Sequence, residues 1–164
     1  MSADRQLPDA YDVFAPDGSE VRILASGERG SMAHFTLPPG QISLAVAHRT
    51  VEEVWYIEAG QGLMWRKSDD AESVTELRPG LSLVIPVATH FQFRCTGNTA
   101  LKAVAITMPP WPGMDEAFAV KGKWWNEGTS SGASRHLLHC VEKGQVSKFV
   151  PSPTKLEKVP RRGG

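Results

Sequence analysis

Short segments rich in β-branched and aromatic residues fill most of the first 110 positions, and Gly and Pro separate one segment from the next. Segments of this length and composition, bounded by turn residues, are typical of β-strands. No segment shows a long 3.6-residue period, although residues 115–120 could form a turn or two of helix. The pattern predicts nine strands: Val21–Ala25, Met32–Leu37, Ile42–Ala47, Val54–Glu58, Gly62–Arg66, Val74–Leu77, Leu81–Ile85, Phe91–Cys95 and Leu101–Thr107.

Nine short strands at this spacing predict an all-β sandwich or barrel. A small closed barrel has an interior that side chains fill, or that has room for a single small ligand. At 164 residues the chain is long enough for one domain with a sizeable core. We expect an N-terminal lead over residues 1–19, a barrel over 20–113 and a C-terminal extension over 114–164, poorly ordered from about residue 126.

Charge and cysteine content narrow the function classes. Eighteen Lys and Arg balance eighteen Asp and Glu, so no basic field indicates a nucleic-acid partner. Two cysteines, Cys95 and Cys140, make no disulfide framework, which fits a reducing cytoplasm. The N-terminus lacks the apolar core of a signal peptide, and no apolar run is long enough to span a membrane. We therefore expect a cytoplasmic protein.

Two blocks of the chain share one plan: a Gly, an apolar strand, a turn and a second strand. The first, GQISLAVAHRTVEEVWYIEAG, runs from residue 40 to 60, and the second, GLSLVIPVATHFQFRCTG, from 80 to 97. In the first block His48 and Glu53 end one segment and begin the next, so a turn can bring imidazole and carboxylate together on facing strands. Such a pair supplies two of the ligands that a divalent metal site requires.

The paired blocks resemble the two motifs of the cupin superfamily. Its first motif is Gly, five residues, His-x-His, three or four residues, Glu, six residues, Gly. Counting from Gly40 places its ligand positions at Val46, His48 and Glu53 and its closing Gly at Gly60. The resemblance implies a jelly-roll barrel with a metal site, but Val46 cannot bind a metal.

The second cupin motif is Gly, five residues, Pro-x-Gly, two residues, His, three residues, Asn. Counted without gaps, Gly80 and Pro86 match, whereas Ala88 replaces Gly, Phe91 replaces His and Cys95 replaces Asn. This ungapped count also matches the following Thr-Gly turn, and we favour it.

A turn that is one residue shorter would instead give His90 the ligand position. Strand alternation puts His90 and Gln92 on one face and Phe91 and Phe93 on the other. A barrel interior usually prefers the Phe side chains, but an interior that holds a polar ligand could prefer His and Gln. Alternation alone leaves both registers open.

The same alternation predicts a pocket. Trp55 and Ile57 share the face of Glu53, one of Met64 and Trp65 on the next strand should join them, and a Phe of the second block adds an aromatic wall. Ordinary core packing explains these residues equally well. Val54 and Tyr56 would then face outward, where they could form a homodimer interface. The predicted ligand pocket consists of Trp55, Ile57, Trp65 and Phe93.

From the residues and the resemblance together, we expect a small-molecule-binding cupin with a degenerate metal site. The alternative is a metal-dependent cupin enzyme, a dioxygenase, isomerase or epimerase, in which His48, Glu53 and His90 hold iron, manganese or zinc. The fold alone does not separate them, because the superfamily includes enzymes and binding proteins.

Overall fold

The computed structural model describes residues 4–125, so the predicted disorder of the tail from about residue 126 lies outside the described residues. The fold is all-β, as predicted, and a 3₁₀ turn at Met114–Glu116 is the one helical element of the described chain. The strands are β1 Val13–Phe14, β2 Glu20–Ser26, β3 Ser31–Leu37, β4 Val46–His48, β5 Glu52–Ala59, β6 Gly62–Lys67, β7 Glu72–Leu77, β8 Ser82–Ile85, β9 His90–Cys95, β10 Leu101–Met108 and β11 Ala117–Ala119.

The strands form two antiparallel sheets. One sheet has six strands in the order β1-β2-β3-β10-β5-β8, and the other has five in the order β11-β4-β9-β6-β7. Strands that follow each other in sequence repeatedly lie in different sheets, as β4, β5 and β6 do. Two sheets connected in this way make a single jelly roll, which confirms the predicted fold class.

One hydrophobic core joins the inner faces of the two sheets. On β5, Glu53, Trp55 and Ile57 are at most 2% exposed, whereas Tyr56 between them is 52% exposed. This period of two is what a strand with one buried face requires. Both sheets contribute to the core: Leu37, Val46, Trp55, Ile57, Met64, Leu77, Leu83, Ile85, Phe91, Phe93, Cys95, Leu101, Ala103 and Ala105.

Both ends of the described chain extend the sheets beyond residues 20–113. β1 pairs with β2 through Val13 and Val21, and β11 pairs with β4 through Ala117 and His48. Residues 115–120, considered above as a turn or two of helix, form the end of the 3₁₀ turn and then β11. The predicted strand over residues 42–47 is shorter, because regular pairing begins only at Val46.

The chain after β11 packs on the outer face of the five-stranded sheet. The buried side chain of Gln92 binds it there: Oε1 accepts hydrogen bonds from the backbone N–H groups of Lys123 and Trp124, both at 2.9 Å. Its Nε2 donates to the carbonyl oxygens of Ser43 and Trp124. All four hydrogen bonds of one amide are thus used internally, so residues 123–124 belong to the folded unit.

The outer face of the six-stranded sheet carries an apolar row. Val84, Val54 and Ile106 are neighbours across β8, β5 and β10, and Val84 and Ile106 are more than one-third exposed. The homodimer contact expected from Val54 and Tyr56 on the outward face of β5 stays a prediction. No helix within residues 4–125 is long and apolar enough to cross a membrane.

We predict that Gly60, the closing Gly of the first motif, cannot be replaced without a large loss of stability. Its φ is +79°, and a Cβ there would lie 2.4 Å from the carbonyl oxygen of Ala100, a backbone atom that cannot rotate away. Gly60→Ala should lower the free energy of unfolding by about 3 kcal/mol or more, from left-handed strain plus the clash. Urea denaturation measures the loss.

Gly40→Ala is the matched control. Gly40 also has a positive φ, +73°, but a Cβ there meets nothing within 4 Å. Its replacement should cost only the conformational term, about 1 to 2 kcal/mol. Equal losses in the two variants would show that the close approach between Gly60 and Ala100 does not matter.

Candidate functional site

A cavity of about 460 Å³ lies between the inner faces of the two sheets. Strands β1, β2, β3, β5 and β10 supply one side, β4 and β9 the other, and residues 111–117 a third wall. Most of the lining is apolar, and much of it is aromatic. Cavities of this size and make-up are typical of small-molecule sites. The aromatic side chains that line it are Phe14, Phe35, Trp55, Phe91 and Trp111.

His48 ends β4 at the cavity wall. It is 4% exposed, and its ring packs edge-on against Phe91 and Trp111, with centroid distances of 5.1 and 5.3 Å. Its Nδ1 is buried and has no hydrogen-bond partner in the described chain. Burial lowers the pKa of His48 to about 4, against the opposing influence of Glu116. The imidazole is therefore neutral at physiological pH.

Glu53 lies on the inner face of β5 and is 2% exposed. Its Oε2 accepts a hydrogen bond of 2.6 Å from the indole Nε1 of Trp55. Burial raises the pKa of Glu53 to about 7; the Trp55 hydrogen bond opposes this shift, and the charge of Asp17 adds to it. The group is thus divided between its acid and its carboxylate form near neutral pH.

Asp17 is a second buried carboxyl at the same cavity. It is 6% exposed and lies in the turn between β1 and β2. Its Oδ1 accepts hydrogen bonds from the backbone N–H and the hydroxyl of Ser19, at 2.9 and 2.6 Å. Burial raises the pKa of Asp17, and the two Ser19 hydrogen bonds counteract only part of that effect. Sequence reasoning missed this residue, because Asp-Gly-Ser indicates an ordinary turn.

Trp111 and the 3₁₀ turn complete the wall around His48. The hydroxyl of Ser31 accepts a hydrogen bond from the backbone N–H of Trp111 at 2.8 Å. The same hydroxyl forms a hydrogen bond of 2.6 Å with Thr107 Oγ1. Glu116 accepts hydrogen bonds from the N–H groups of Thr50 and Val51 in the β4–β5 turn. Burial favours a higher pKa for Glu116, but these donors outweigh it and the pKa is lowered.

The four positions that the motifs assign to ligands meet at this cavity. Under the ungapped count these are Val46, His48, Glu53 and Phe91, and all four line it. Ala88, which replaces the Gly of the second motif, has a φ of +62°, a conformation that Gly adopts more readily. Its N–H donates to the carbonyl oxygen of His48 at 3.0 Å. The backbone therefore keeps the geometry of the motif although two ligand positions are apolar.

The residues predicted to form the ligand pocket are only partly found at this cavity. Trp55 lines the cavity, but Ile57 and Phe93 are core residues that do not reach its wall. Met64 joins the core, whereas Trp65, although only 3% exposed, lies on the opposite face of β6, where its indole Nε1 donates a hydrogen bond to Glu72. His90 begins β9 opposite Lys67, is half-buried and does not line the cavity.

The donor set does not fit a metal centre. Within residues 4–125, no three side chains of His, Cys, Asp or Glu come together in an arrangement that could hold a metal ion. Of the predicted ligands, the structure brings only His48 and Glu53 to the cavity, and His90 stays outside it. Metal sites in enzymes generally use three protein ligands, and of the three predicted ligands the described chain places only two at this cavity.

Comparisons with known proteins agree with this architecture. The family model for the cupin domain matches residues 33–107. An uncharacterized protein of Methanocaldococcus jannaschii is 32% identical over 110 residues, which cover 62% of this chain and 85% of that protein. The fold and the motif geometry define a cupin-type jelly roll, and the chain belongs to the cupin superfamily.

Two solved structures show the same fold. A Bacillus halodurans protein superimposes with a TM-score of 0.52 at 24% identity, over 57% of this chain and 72% of its own. A Klebsiella pneumoniae protein with a double-stranded β-helix domain gives a TM-score of 0.53 at 12% identity, over 73% of this chain and 91% of its own. Likeness at these identities extends to the fold and not to a ligand.

The two central site residues should have opposite effects on stability as the pH changes. The pKa of Glu53 rises from 4.5 to about 7 on folding, so the folded state binds more protons between these values and loses stability as the pH rises. The pKa of His48 falls from 6.5 to about 4, so the unfolded state binds more protons and stability is gained as the pH rises.

Urea denaturation from pH 4 to 7.5 separates these effects. The stability of wild type minus that of Glu53→Gln should fall by on the order of 3 kcal/mol between pH 4.5 and 7. For His48→Gln the same difference should rise by a similar amount between pH 4 and 6.5. Glu76→Gln, at an exposed carboxyl on β7, is the control. If the stability difference between wild type and each site variant does not change with pH, burial does not shift these two pKa values.

Proposed function

We propose that this cupin binds a small organic molecule in the cavity between its sheets, without a metal ion. The single observation that carries the proposal is the 460 Å³ cavity at which the four motif ligand positions meet with only two metal-binding side chains among them. Val46 and Phe91 replace donors with apolar surface at the point where a metal would need ligands. Apolar area removed from water contributes roughly 25 cal/mol per Å² to the driving force for binding an organic ligand, from which the entropy cost of association is subtracted.

The polar groups of the cavity then fix the orientation of the ligand. His48 offers an imidazole nitrogen, and Glu53 offers a carboxyl group whose Oε2 is already oriented by Trp55. A few polar groups in an apolar pocket are the usual arrangement for specificity in small-molecule sites. Binding or sensing is the activity that this arrangement supports best.

The alternative is a metal-dependent enzyme. It would require His48 and Glu53 to recruit a third ligand, and His90, which the sequence offered for this role, faces away from the cavity wall. A dioxygenase, isomerase or epimerase would therefore need a donor that residues 4–125 do not place beside the pair. We consider this function second to ligand binding.

A neutral apolar fluorophore, N-phenyl-1-naphthylamine, tests for the cavity directly. We expect its emission to rise on binding, and the fluorescence of Trp55 and Trp111 to be quenched by energy transfer to it. Ala33→Phe places a ring in the cavity from β3 and should weaken probe binding at least tenfold. Ala71→Phe, at an exposed turn, adds the same ring outside the cavity and is the control.

The metal-dependent alternative is tested by the effect of metal ions on the melting temperature. Iron(II), manganese or zinc added to protein purified without an affinity tag should leave the melting temperature unchanged. A rise that His48→Ala abolishes would favour the metalloenzyme, and a rise that His90→Ala also abolishes would show that this residue moves to the metal. Probe binding that Ala33→Phe does not weaken would contradict the proposed site.

A further inference from the structure

Asp17 and Glu53 are two buried carboxyl groups at one cavity that no Lys or Arg side chain lines. They are 6% and 2% exposed, and the residues that line the cavity include neither Lys nor Arg. None of the ion pairs of the described chain involves either group. Asp and Glu are almost never buried to this extent unless they are paired. The described chain therefore supplies no cationic partner to either carboxyl group.

Each carboxyl group accepts its hydrogen bonds at one oxygen, and the described chain donates none to the other oxygen. Trp55 donates to Oε2 of Glu53, and Ser19 donates twice to Oδ1 of Asp17. No donor in the described part of the chain forms a hydrogen bond with Glu53 Oε1 or Asp17 Oδ2. Two fixed acceptors thus remain for a ligand. The charge of Asp17 also raises the pKa of Glu53, so the two groups influence each other electrostatically.

The walls around the carboxyls suit a positive charge. Phe14, Phe35, Trp55, Phe91 and Trp111 surround the cavity. The faces of aromatic rings attract cations, more strongly where water is excluded, and cages of such rings are used to recognise quaternary ammonium groups. His48, the imidazole at the wall, carries no competing charge near neutral pH, and its buried Nδ1 lacks a partner.

Building on the proposed function, we propose that the ligand is a small organic cation: an ammonium compound with an apolar or aromatic body. A neutral ligand leaves the burial penalty on the carboxylate forms in place, an anion would add to it, and a cation offsets it and makes a carboxylate stable at this cavity. A cation that binds next to a protonated carboxyl makes that group release its proton to the solvent, so the net charge of the cavity is conserved. A single positive charge can be neutralised by one of the two groups while the other stays protonated.

The size and the walls of the cavity favour an organic cation over a metal ion. A divalent ion requires four or more donors close together, whereas the described side chains do not bring even three of the relevant types into such an arrangement. A volume of about 460 Å³ lies within the usual range for sites of small organic ligands. The aromatic lining would contact the apolar body while the carboxyls receive the charge.

A pair of isosteres tests the charge alone. 3-Hydroxyphenyltrimethylammonium and 3-tert-butylphenol have the same shape and differ by a nitrogen in place of a carbon. Calorimetry on the full chain at pH 6 should show that the cation binds at least tenfold more tightly, although the phenol is the more hydrophobic. Repeating it in two buffers of different ionisation enthalpy should show up to one proton released for each cation bound and none for the phenol.

The carboxyl variants assign the effect to residues. Glu53→Gln and Asp17→Asn should each reduce the preference for the cation at least threefold, and the double variant should abolish it. Glu76→Gln, at a carboxyl 73% exposed on β7, should leave the preference unchanged. A preference that survives the double variant would overturn the proposal. The comparison of the two isosteres on the unaltered protein stands even if a variant does not fold.

The outcomes separate this inference from the proposed function. If N-phenyl-1-naphthylamine or the phenol enters the cavity and the cation binds no better than the phenol, the charge proposal is wrong and the binding function stands. If neither isostere nor the naphthylamine binds, both are wrong. A tenfold preference for the cation, with proton release, supports both.

Discussion

Burial of ionisable groups without a counter-charge is the constraint on which the rest of this site depends. The inner faces of the two sheets are apolar, yet Asp17, His48 and Glu53 lie among them with little exposure to solvent. Such burial penalises every charged form: it raises the pKa of Glu53 to about 7 and lowers that of His48 to about 4. Burial therefore makes the imidazole of His48 neutral and shifts Glu53 toward its acid form, and it raises the pKa of Asp17 in the same direction.

The backbone determines where the buried imidazole and carboxyl groups lie. β4 and β5 place His48 and Glu53 on either side of one turn, and Glu116 binds that turn through the N–H groups of Thr50 and Val51. Gly60 then allows the chain to pass within contact of Ala100 as it enters the second sheet. This cupin barrel thus presents the four motif positions to its interior. Here two of the four are apolar.

The strands and the site could be predicted to different degrees. Alternation on β5 was enough to place Glu53, Trp55 and Ile57 inside and Tyr56 outside, because a half-buried strand has a strict period of two. It did not decide the register of the second motif. The structure favours the ungapped count, in which Ala88 takes the positive φ of the missing Gly and Phe91 reaches the cavity. A local pattern does not contain this information, since it depends on how β9 pairs with β4 and β6.

The remaining site residues come from regions where the sequence indicates only turns. Asp17 lies in an Asp-Gly-Ser turn, and Trp111 lies in a Pro-rich run after the last long strand. Their role arises from long-range packing of β1 and of residues 111–117 over the open side of the sheets. Trp65 shows the opposite case. It follows the core residue Met64, yet its buried ring lies on the other face of the sheet, where Glu72 accepts a hydrogen bond from the indole N–H.

The most direct test of this account is the titration of the Glu53 carboxyl itself. In protein labelled with ¹³C at the glutamate side-chain carboxyl, the resonance of Glu53 is assigned by its absence from Glu53→Gln and followed from pH 3 to 9 without ligand. Burial at an apolar cavity predicts a midpoint near pH 7. A midpoint near the ordinary value of 4.5 would show a solvated or charge-paired carboxylate and would contradict the account.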